Sequence, residues 1–203
     1  MENKKINKVI VGSIKTNCWF YPLNEHGHCI VIDPGDKASI IISRLKELLW
    51  VPRYIFLTHG HFDHVTALPA LLAAFTKGLF DDNPIPKVGI HRQDIQFLEM
   101  TTQSTADIFF EEGDVEGPFR VLHIPGHTPG SCGFYDEKEN VLFSGDTLFR
   151  GDRGRTDLPG GSEEQIQQSL KRLLSLPEGT VVCPGHGPMT TIMEERRNPY
   201  LLG

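Results

Sequence analysis

The chain has 203 residues, of which 39% are hydrophobic and 23% charged, with a formal net charge of -6 at pH 7. This size and apolar content argue against a disordered chain, and we expect residues 1–203 to form a single domain. The acidic balance argues against a nucleic-acid partner. The sequence contains no stretch as long as a membrane span, its four cysteines form no CxxC pair, and we expect no secretory signal. We therefore expect a cytoplasmic protein with no membrane contact.

The first half of the chain is predicted to contain strands followed by strand–helix units. Apolar, β-favouring runs predict strands, and a capping Asp36 predicts a helix that continues through Trp50. Further helices are predicted over 64–75 and 91–100. Pro52 is expected to separate the first helix from the strand that follows it. The predicted strands span 8–14, 18–21, 28–33, 53–57 and 87–90.

The second half alternates in the same way. Residues 101–117 are polar and acidic and are predicted to be a surface excursion with some local structure, of a length that could cover a site. A helix capped by Ser162 is predicted over 163–174, and a final helix over 189–197. Periodicity alone therefore predicts only a mixed α/β protein. The predicted strands span 119–124, 131–135, 140–144 and 180–183.

One heptapeptide, THGHFDH at residues 58–64, organises the site prediction. It places His59, His61, Asp63 and His64 within six positions, between a predicted buried strand and a predicted helix. Imidazole nitrogen and carboxylate oxygen are ligands preferred by zinc and its first-row neighbours. Strand-to-helix loops are also common locations for sites in α/β proteins. The alternative is a histidine-rich surface turn, which the later motifs disfavour.

Three later motifs each place one ligand-type residue after a predicted strand. They are PGHTPGS with His127, SGDTLF with Asp146 and CPGHGP with His186. Alone, each of the two histidine motifs is equally well explained as an ordinary turn, and the Asp146 motif is better explained as one. Together they repeat one arrangement, so we interpret them as parts of the same metal site.

The ordered set of His59, His61, Asp63, His64, His127, Asp146 and His186 resembles the metallo-β-lactamase superfamily. The residues around His127, Asp146 and His186, and the tail over 190–201, are most similar to short, single-domain proteins of the glyoxalase II (hydroxyacylglutathione hydrolase) branch. The resemblance implies an α/β fold of four layers, an α/β/β/α sandwich with two facing sheets and helices outside.

The resemblance also implies two divalent metal ions, with zinc expected and iron or manganese as alternatives. The first metal would be bound by His59, His61 and His127, and the second by Asp63, His64 and His186. Asp146 would bridge the two. A bridging hydroxide would then attack the carbonyl of a small-molecule thioester such as S-lactoylglutathione. Asp63 would have a second, catalytic role in orienting that hydroxide.

An arginine-rich stretch follows Asp146. The resemblance places Arg155 where glyoxalase II has a basic residue that contacts glutathione, a role suited to the guanidinium group. For Arg150 and Arg153, local pairing with aspartates is as good an explanation as substrate binding. The chain carries Thr156 and Asp157 where glyoxalase II has aromatic residues, so the thiol carrier is left open.

Two other functions remain as alternatives. Residues 154–157 also resemble the persulfide dioxygenases of the same superfamily, which would bind one iron through His59, His127 and Asp146. A metal-binding protein without catalysis is the third class. It is disfavoured because a purely structural zinc site is closed by four ligands.

Overall fold

The computed structural model describes residues 6–80, 83–199 and 201. Within these residues, twelve strands form two six-stranded sheets. In each sheet, strands that follow one another in the chain lie next to each other. The chain thus completes one sheet before it begins the other.

The first sheet combines an antiparallel and a parallel half. The first three strands pair antiparallel, whereas β3 to β6 pair parallel. Because the parallel strands end at one edge of the sheet, the loops that follow β3, β4 and β5 meet there. The strands are β1 Asn7–Val11, β2 Thr16–Pro22, β3 His28–Ile32, β4 Val51–Phe56, β5 Lys87–His91 and β6 Ile108–Phe110.

The second sheet is antiparallel apart from the parallel pairing of β10 with β11. Its strands are β7 Val115–Glu116, β8 Phe119–His123, β9 Cys132–Asp136, β10 Val141–Gly145, β11 Val181–Pro184 and β12 Thr190–Thr191. The helices are α1 Ala38–Leu48, α2 Phe62–Val65, α3 Leu68–Thr76, α4 Ile95–Thr102, α5 Glu163–Leu173 and α6 Ile192–Glu195, and a 3-10 turn spans Arg92–Asp94.

Three hydrophobic cores separate four layers. The first lies between the first sheet and the helices that include α1 and α3, and the third lies between the second sheet and α5. The central core lies between the sheets and is rich in aromatic rings, including the buried Phe56, Phe110, Phe134 and Phe143. This arrangement confirms the predicted α/β/β/α sandwich.

Several predicted boundaries were wrong for local physical reasons. Asp36 accepts a hydrogen bond from the next residue's N–H but does not cap α1, whose N-cap is Lys37. That helix ends at Leu48, and Pro52 lies inside β4 at an irregularity in its pairing with β3. The predicted helix over 64–75 is two helices, α2 and α3, and the second begins next to a proline.

Residues 101–117 were expected to be a surface excursion with some local structure, and the structure shows two short strands there, β6 and β7. Phe110 is fully buried between the sheets and anchors β6 to β5. The predicted final helix over 189–197 is also shorter, because β12 precedes α6. In residues 6–80, 83–199 and 201, no helix is long and apolar enough to cross a membrane.

Candidate metal centre

The side chains predicted as ligands come from loops at the ends of strands in both sheets. The loop after β4 supplies His59 and His61 and leads into α2, which carries Asp63 and His64. The second sheet supplies the other three from the loops after β8, β10 and β11: His127, Asp146 and His186. Residues as far apart in sequence as His64 and His186, which are 122 positions apart, therefore meet because the two sheets face each other.

Three imidazoles form a first cluster, His59–His61–His127. One nitrogen from each ring lies within 4.8 Å of the others. Nδ1 of His61 is 2.9 Å from Nε2 of His127. The structure thus assembles these three predicted ligands at the spacing that a common cation could bridge.

A second cluster comprises Asp63, His64 and His186, whose ligand atoms also lie within 4.8 Å of one another. Nε2 of His186 is 3.2 Å from Oδ2 of Asp63 and 3.3 Å from Nε2 of His64. Thr16 donates a hydrogen bond of 3.2 Å to the same Asp63 oxygen. The second set of predicted ligands is therefore assembled as well.

Asp146 lies between the two clusters. Its Oδ1 is 3.3 Å from Nε2 of His64, and its Oδ2 is 3.3 Å from Nε2 of His186. The same Oδ2 is 3.7 Å from Nε2 of His127 in the first cluster. The carboxylate therefore faces ligand atoms of both clusters.

The donor atoms fit divalent cations. Nε2 of His59 and Oδ1 of Asp146 are buried and have no hydrogen-bond partner among the described residues. Buried polar atoms normally have partners, and a nitrogen and a carboxylate oxygen are both acceptors that a cation satisfies. Gly185 keeps the space open, since a Cβ atom there would lie 2.1 Å from Oδ1 of Asp146.

The protonation equilibria of the two clusters differ. Burial, followed by the neighbouring His64, holds the pKa of His59 well below its usual range, and burial beside His127 lowers the pKa of His61 to about 4. Burial opposes the charged form of His64, but Asp146 and Asp33 outweigh it and raise that pKa well above its usual range. His59 and His61 are thus neutral and ready to bind a cation at pH 7, whereas protons compete with a cation for His64 and His186.

The carboxylates of the site stay ionised. Burial alone would raise the pKa of Asp146, but His64 and the hydrogen bond from His186 hold it well below its usual range. The same balance lowers the pKa of Asp63, chiefly through His186. Those two carboxylates in turn raise the pKa of His186 to about 9 despite its burial. The site therefore offers two anionic groups at neutral pH.

Asp33 is a functional residue that the sequence reasoning missed. In the sequence it is only the last residue of the strand predicted over 28–33, yet its buried carboxylate accepts hydrogen bonds of 2.8 Å from both N–H and Oγ1 of Thr58. Its Oδ2 also lies 3.0 Å from Nδ1 of His64. A carboxylate that holds the second nitrogen of a ligand histidine fixes the ring and its tautomer. Its position at a parallel strand end was the available signal.

Arg155 lies beside the first cluster, and its backbone and its side chain make different contacts. Its backbone carbonyl accepts a hydrogen bond of 2.8 Å from Nδ1 of His127. Its guanidinium group is exposed and donates two hydrogen bonds of 2.7 Å to Asp157. Arg153 pairs with Glu163 in a similar way. Arg153 is thus paired as the sequence analysis allowed, but with a glutamate at the start of α5 and not with an aspartate of its own loop.

The family model of the metallo-beta-lactamase superfamily matches residues 12–186, which contain all seven predicted ligands. The chain belongs to this superfamily. It is similar over 98% of both chains to the probable metallo-hydrolase YqgX of Bacillus subtilis, with 36% identity. It is also 36% identical, over 97% of both chains, to the hydroxyacylglutathione hydrolase GloC of Haemophilus influenzae. Membership in the superfamily indicates a metallo-hydrolase that binds divalent metals.

Solved structures show the same fold. BLEG-1, a B3 metallo-beta-lactamase, is 36% identical, with a TM-score of 0.86 over 98% of this chain and 100% of that one. The di-iron-bound form of TTHA1623 is 36% identical, with a TM-score of 0.85 over 96% and 100% of the two chains. ETHE1 from Myxococcus xanthus is 28% identical, with a TM-score of 0.82 over 98% and 84%.

Proposed function

We propose that this protein is a binuclear metallo-hydrolase that cleaves small-molecule thioesters. In this proposal His59, His61 and His127 bind one divalent ion, and Asp63, His64 and His186 bind the other. The position of Asp146, within 3.3–3.7 Å of histidines in both clusters, is the observation that carries the proposal. A carboxylate shared in this way is suited to bridging two metals, and zinc is the expected occupant, with iron and manganese as alternatives.

When bound at these residues, divalent ions would supply a water of lowered pKa and would polarise a carbonyl oxygen. The residues of the chain hold the ligand rings in place and orient the water. Asp33 accepts the Nδ1 proton of His64, and the Arg155 carbonyl accepts the Nδ1 proton of His127. With the second proton of His64 displaced by a bound metal, both rings would direct an unprotonated Nε2 into the site. Asp63, ionised and held by Thr16, is placed to orient the attacking water as well as to bind metal.

The thioester substrate is proposed from similarity and from chemistry. GloC, which matches this chain over nearly its whole length, is named a hydroxyacylglutathione hydrolase. In a thioester substrate, the guanidinium group of Arg155 would bind a carboxylate of the thiol carrier. It would have to exchange Asp157 for that carboxylate, which exposure of both side chains allows. We propose no nucleic-acid or membrane partner.

We also propose a cytoplasmic location. All four cysteines lie within the described residues, and each is free and buried. Burial raises the pKa of each thiol and keeps it unreactive. Unpaired buried cysteines are typical of proteins that fold in a reducing compartment.

Substrate turnover tests the proposal. Purified protein would be assayed for hydrolysis of S-lactoylglutathione, for cleavage of a cephalosporin and for oxygen uptake on glutathione persulfide. We expect thioester hydrolysis. Arg155→Ala should raise KM about tenfold for S-lactoylglutathione and leave KM unchanged for S-lactoyl-N-acetylcysteamine, which has no carboxylate. Asp157→Asn is the matched variant and should lower KM, because it frees the same guanidinium group.

One iron per chain with oxygen uptake would instead support the second candidate, a persulfide dioxygenase. The observation in its favour is the set of His59, His127 and Asp146, since two imidazoles and a carboxylate with open positions suit oxygen-activating iron. In this protein Nε2 of His127 is 3.7 Å from Oδ2 of Asp146. Cephalosporin cleavage without thioester hydrolysis would refute both candidates.

A further inference from the structure

A second buried carboxylate, Asp94, lies outside the proposed ligand set. It ends the 3-10 turn before α4 and is completely buried. Its Oδ2 accepts hydrogen bonds from the N–H of Gly60 at 2.9 Å and from Oγ1 of Thr128 at 2.7 Å. Its Oδ1 accepts a third from the N–H of Gly130 at 2.7 Å. The carboxylate thus has a full set of short hydrogen bonds without binding a metal itself.

The donors belong to the two loops that carry the first cluster. Gly60 lies between His59 and His61 in the chain, and Thr128 directly follows His127. These loops come from opposite sheets, since the first follows β4 and the second follows β8. Asp94 therefore connects the two loops through one side chain. The loops must keep a fixed position relative to each other if the three imidazoles are to share a cation.

Close packing makes this connection stiff. A Cβ atom on Gly130 would lie 2.5 Å from Oδ1 of Asp94, so the loop approaches the carboxylate as closely as a backbone can. One helical turn further on, the ring of Phe97 packs edge-on against the imidazole of His61 at 5.9 Å between centroids. The 3-10 turn and α4 therefore support both the backbone and a ring of the first cluster.

Fold stability alone does not account for this group. The three hydrogen-bond donors to Asp94 are uncharged, and burial raises the pKa of its carboxyl group. Removing a carboxylate from water without a cationic partner is costly, and an apolar residue often serves stability as well. The fold retains this buried carboxylate despite its desolvation cost, and all three of its hydrogen-bond donors lie in the loops that carry the first cluster. Both observations point to a role for Asp94 in that cluster.

We infer that Asp94 is a positioning residue that sets the metal affinity of the His59–His61–His127 cluster. Asp33 has the corresponding position for the second cluster, where it holds His64 directly. The inference rests on the two ligand sets of the proposed function. It does not depend on which substrate the protein cleaves.

Binding of cobalt(II) to single-cluster proteins tests the inference. His186→Ala removes a ligand of the second cluster, and His61→Ala removes a ligand of the first. Asp94→Asn would be added to each, and cobalt(II) affinity would be measured by competition with a chromophoric chelator. Asparagine matches the shape of aspartate, but its amide nitrogen must face at least one of the three donors.

We expect Asp94→Asn to weaken cobalt(II) binding about 10- to 100-fold in the His186→Ala protein, as loss of a group that orients ligands does. In the His61→Ala protein the affinity should change less than about threefold. Thr128→Val, which removes only one of the three hydrogen bonds, should cause a smaller loss with the same selectivity, and it decides the question if Asp94→Asn does not fold.

Equal weakening in both backgrounds, or none in either, would overturn the inference. Equal weakening would show that Asp94 serves the fold as a whole. Urea unfolding with chelator present would show that each variant is folded before it is titrated. Because cobalt(II) affinity is measured without substrate, a protein that lacks thioesterase activity could still show the selective loss.

Discussion

Gly185→Ala is expected to disable the metal site while the rest of the fold stays intact. A Cβ atom on residue 185 would lie 2.1 Å from Oδ1 of Asp146 and 2.7 Å from Cε1 of His64. Real Cβ atoms do not approach other heavy atoms within 3.0 Å, so the carboxylate must move by about 0.9 Å. That shift is several times the spread of about 0.2 Å within which metal–ligand distances are expected to match their usual values.

The displacement cannot be absorbed elsewhere, because both affected side chains are already constrained. His64 is fully buried and held by Asp33, and Asp146 is packed among histidines of both clusters. A misplacement of about 1 Å costs roughly 100-fold in rate. We therefore expect Gly185→Ala to lower kcat about 100-fold or more and to reduce the metal content of the second cluster.

The assay would compare metal content and thioester turnover with those of Gly179→Ala. A Cβ atom at Gly179 meets nothing within 4 Å, so this control should keep both properties. Overpacking at residue 185 should cost about 1–3 kcal/mol of unfolding free energy, which is small enough to leave the protein folded. Wild-type metal content and kcat in Gly185→Ala would refute the reasoning about the site's geometry.

Three further predictions concern the surroundings of the site. Asparagine at position 33 tolerates the positive φ of 53° there, so Asp33→Asn should leave the backbone unchanged. The substitution weakens the hydrogen bond that holds His64, and metal affinity measured by chelator competition should therefore fall about 10- to 100-fold. Chelation should lower the melting temperature by about 10 °C for each site that had been held at 1,000 times its Kd, and an unchanged melting curve would contradict metal binding to the folded state. Burial, with His123 and Arg92 nearby, lowers the pKa of His91 to about 4. Between pH 4 and 6.5 the folded protein therefore binds fewer protons than the unfolded protein, and the free energy of unfolding should fall as pH falls through that window. In chelated His91→Gln protein, urea unfolding should show a pH slope that is smaller by up to about 1.4 kcal/mol per pH unit.

The sequence predicted the centre of the site well because its signal is local. Four ligand-type residues lie within residues 58–64, and three more follow strands in glycine- and proline-rich turns. Such spacing depends on the chemistry of the ligands rather than on distant packing. The structure brings all seven side chains together, as the resemblance implied.

The supporting residues could not be recognised in the same way. Asp33 and Asp94 each look like an ordinary turn or helix-start residue in sequence. Their roles depend on contacts with residues 25 to 36 positions away, which only the folded sheets create. Arg155 illustrates the same limit, because its contact with the first cluster is made by its backbone carbonyl.

The errors in the fold have a similar origin. Residues 108–110 form a strand because Phe110 is buried between the sheets, although the surrounding stretch is polar. The helix predicted over 64–75 is interrupted before Pro69, and α2 is only four residues long. Tertiary packing and short-range geometry decide these boundaries, whereas periodicity only indicates which segments are apolar.

A titration of metal-free protein with zinc, read out by S-lactoylglutathione hydrolysis, tests the central proposal most directly. Because Asp146 faces both clusters, we expect activity to depend on both metals and to reach its plateau at two zinc ions per chain. A plateau at one ion per chain, or no hydrolysis at any zinc content, would contradict a binuclear thioester hydrolase.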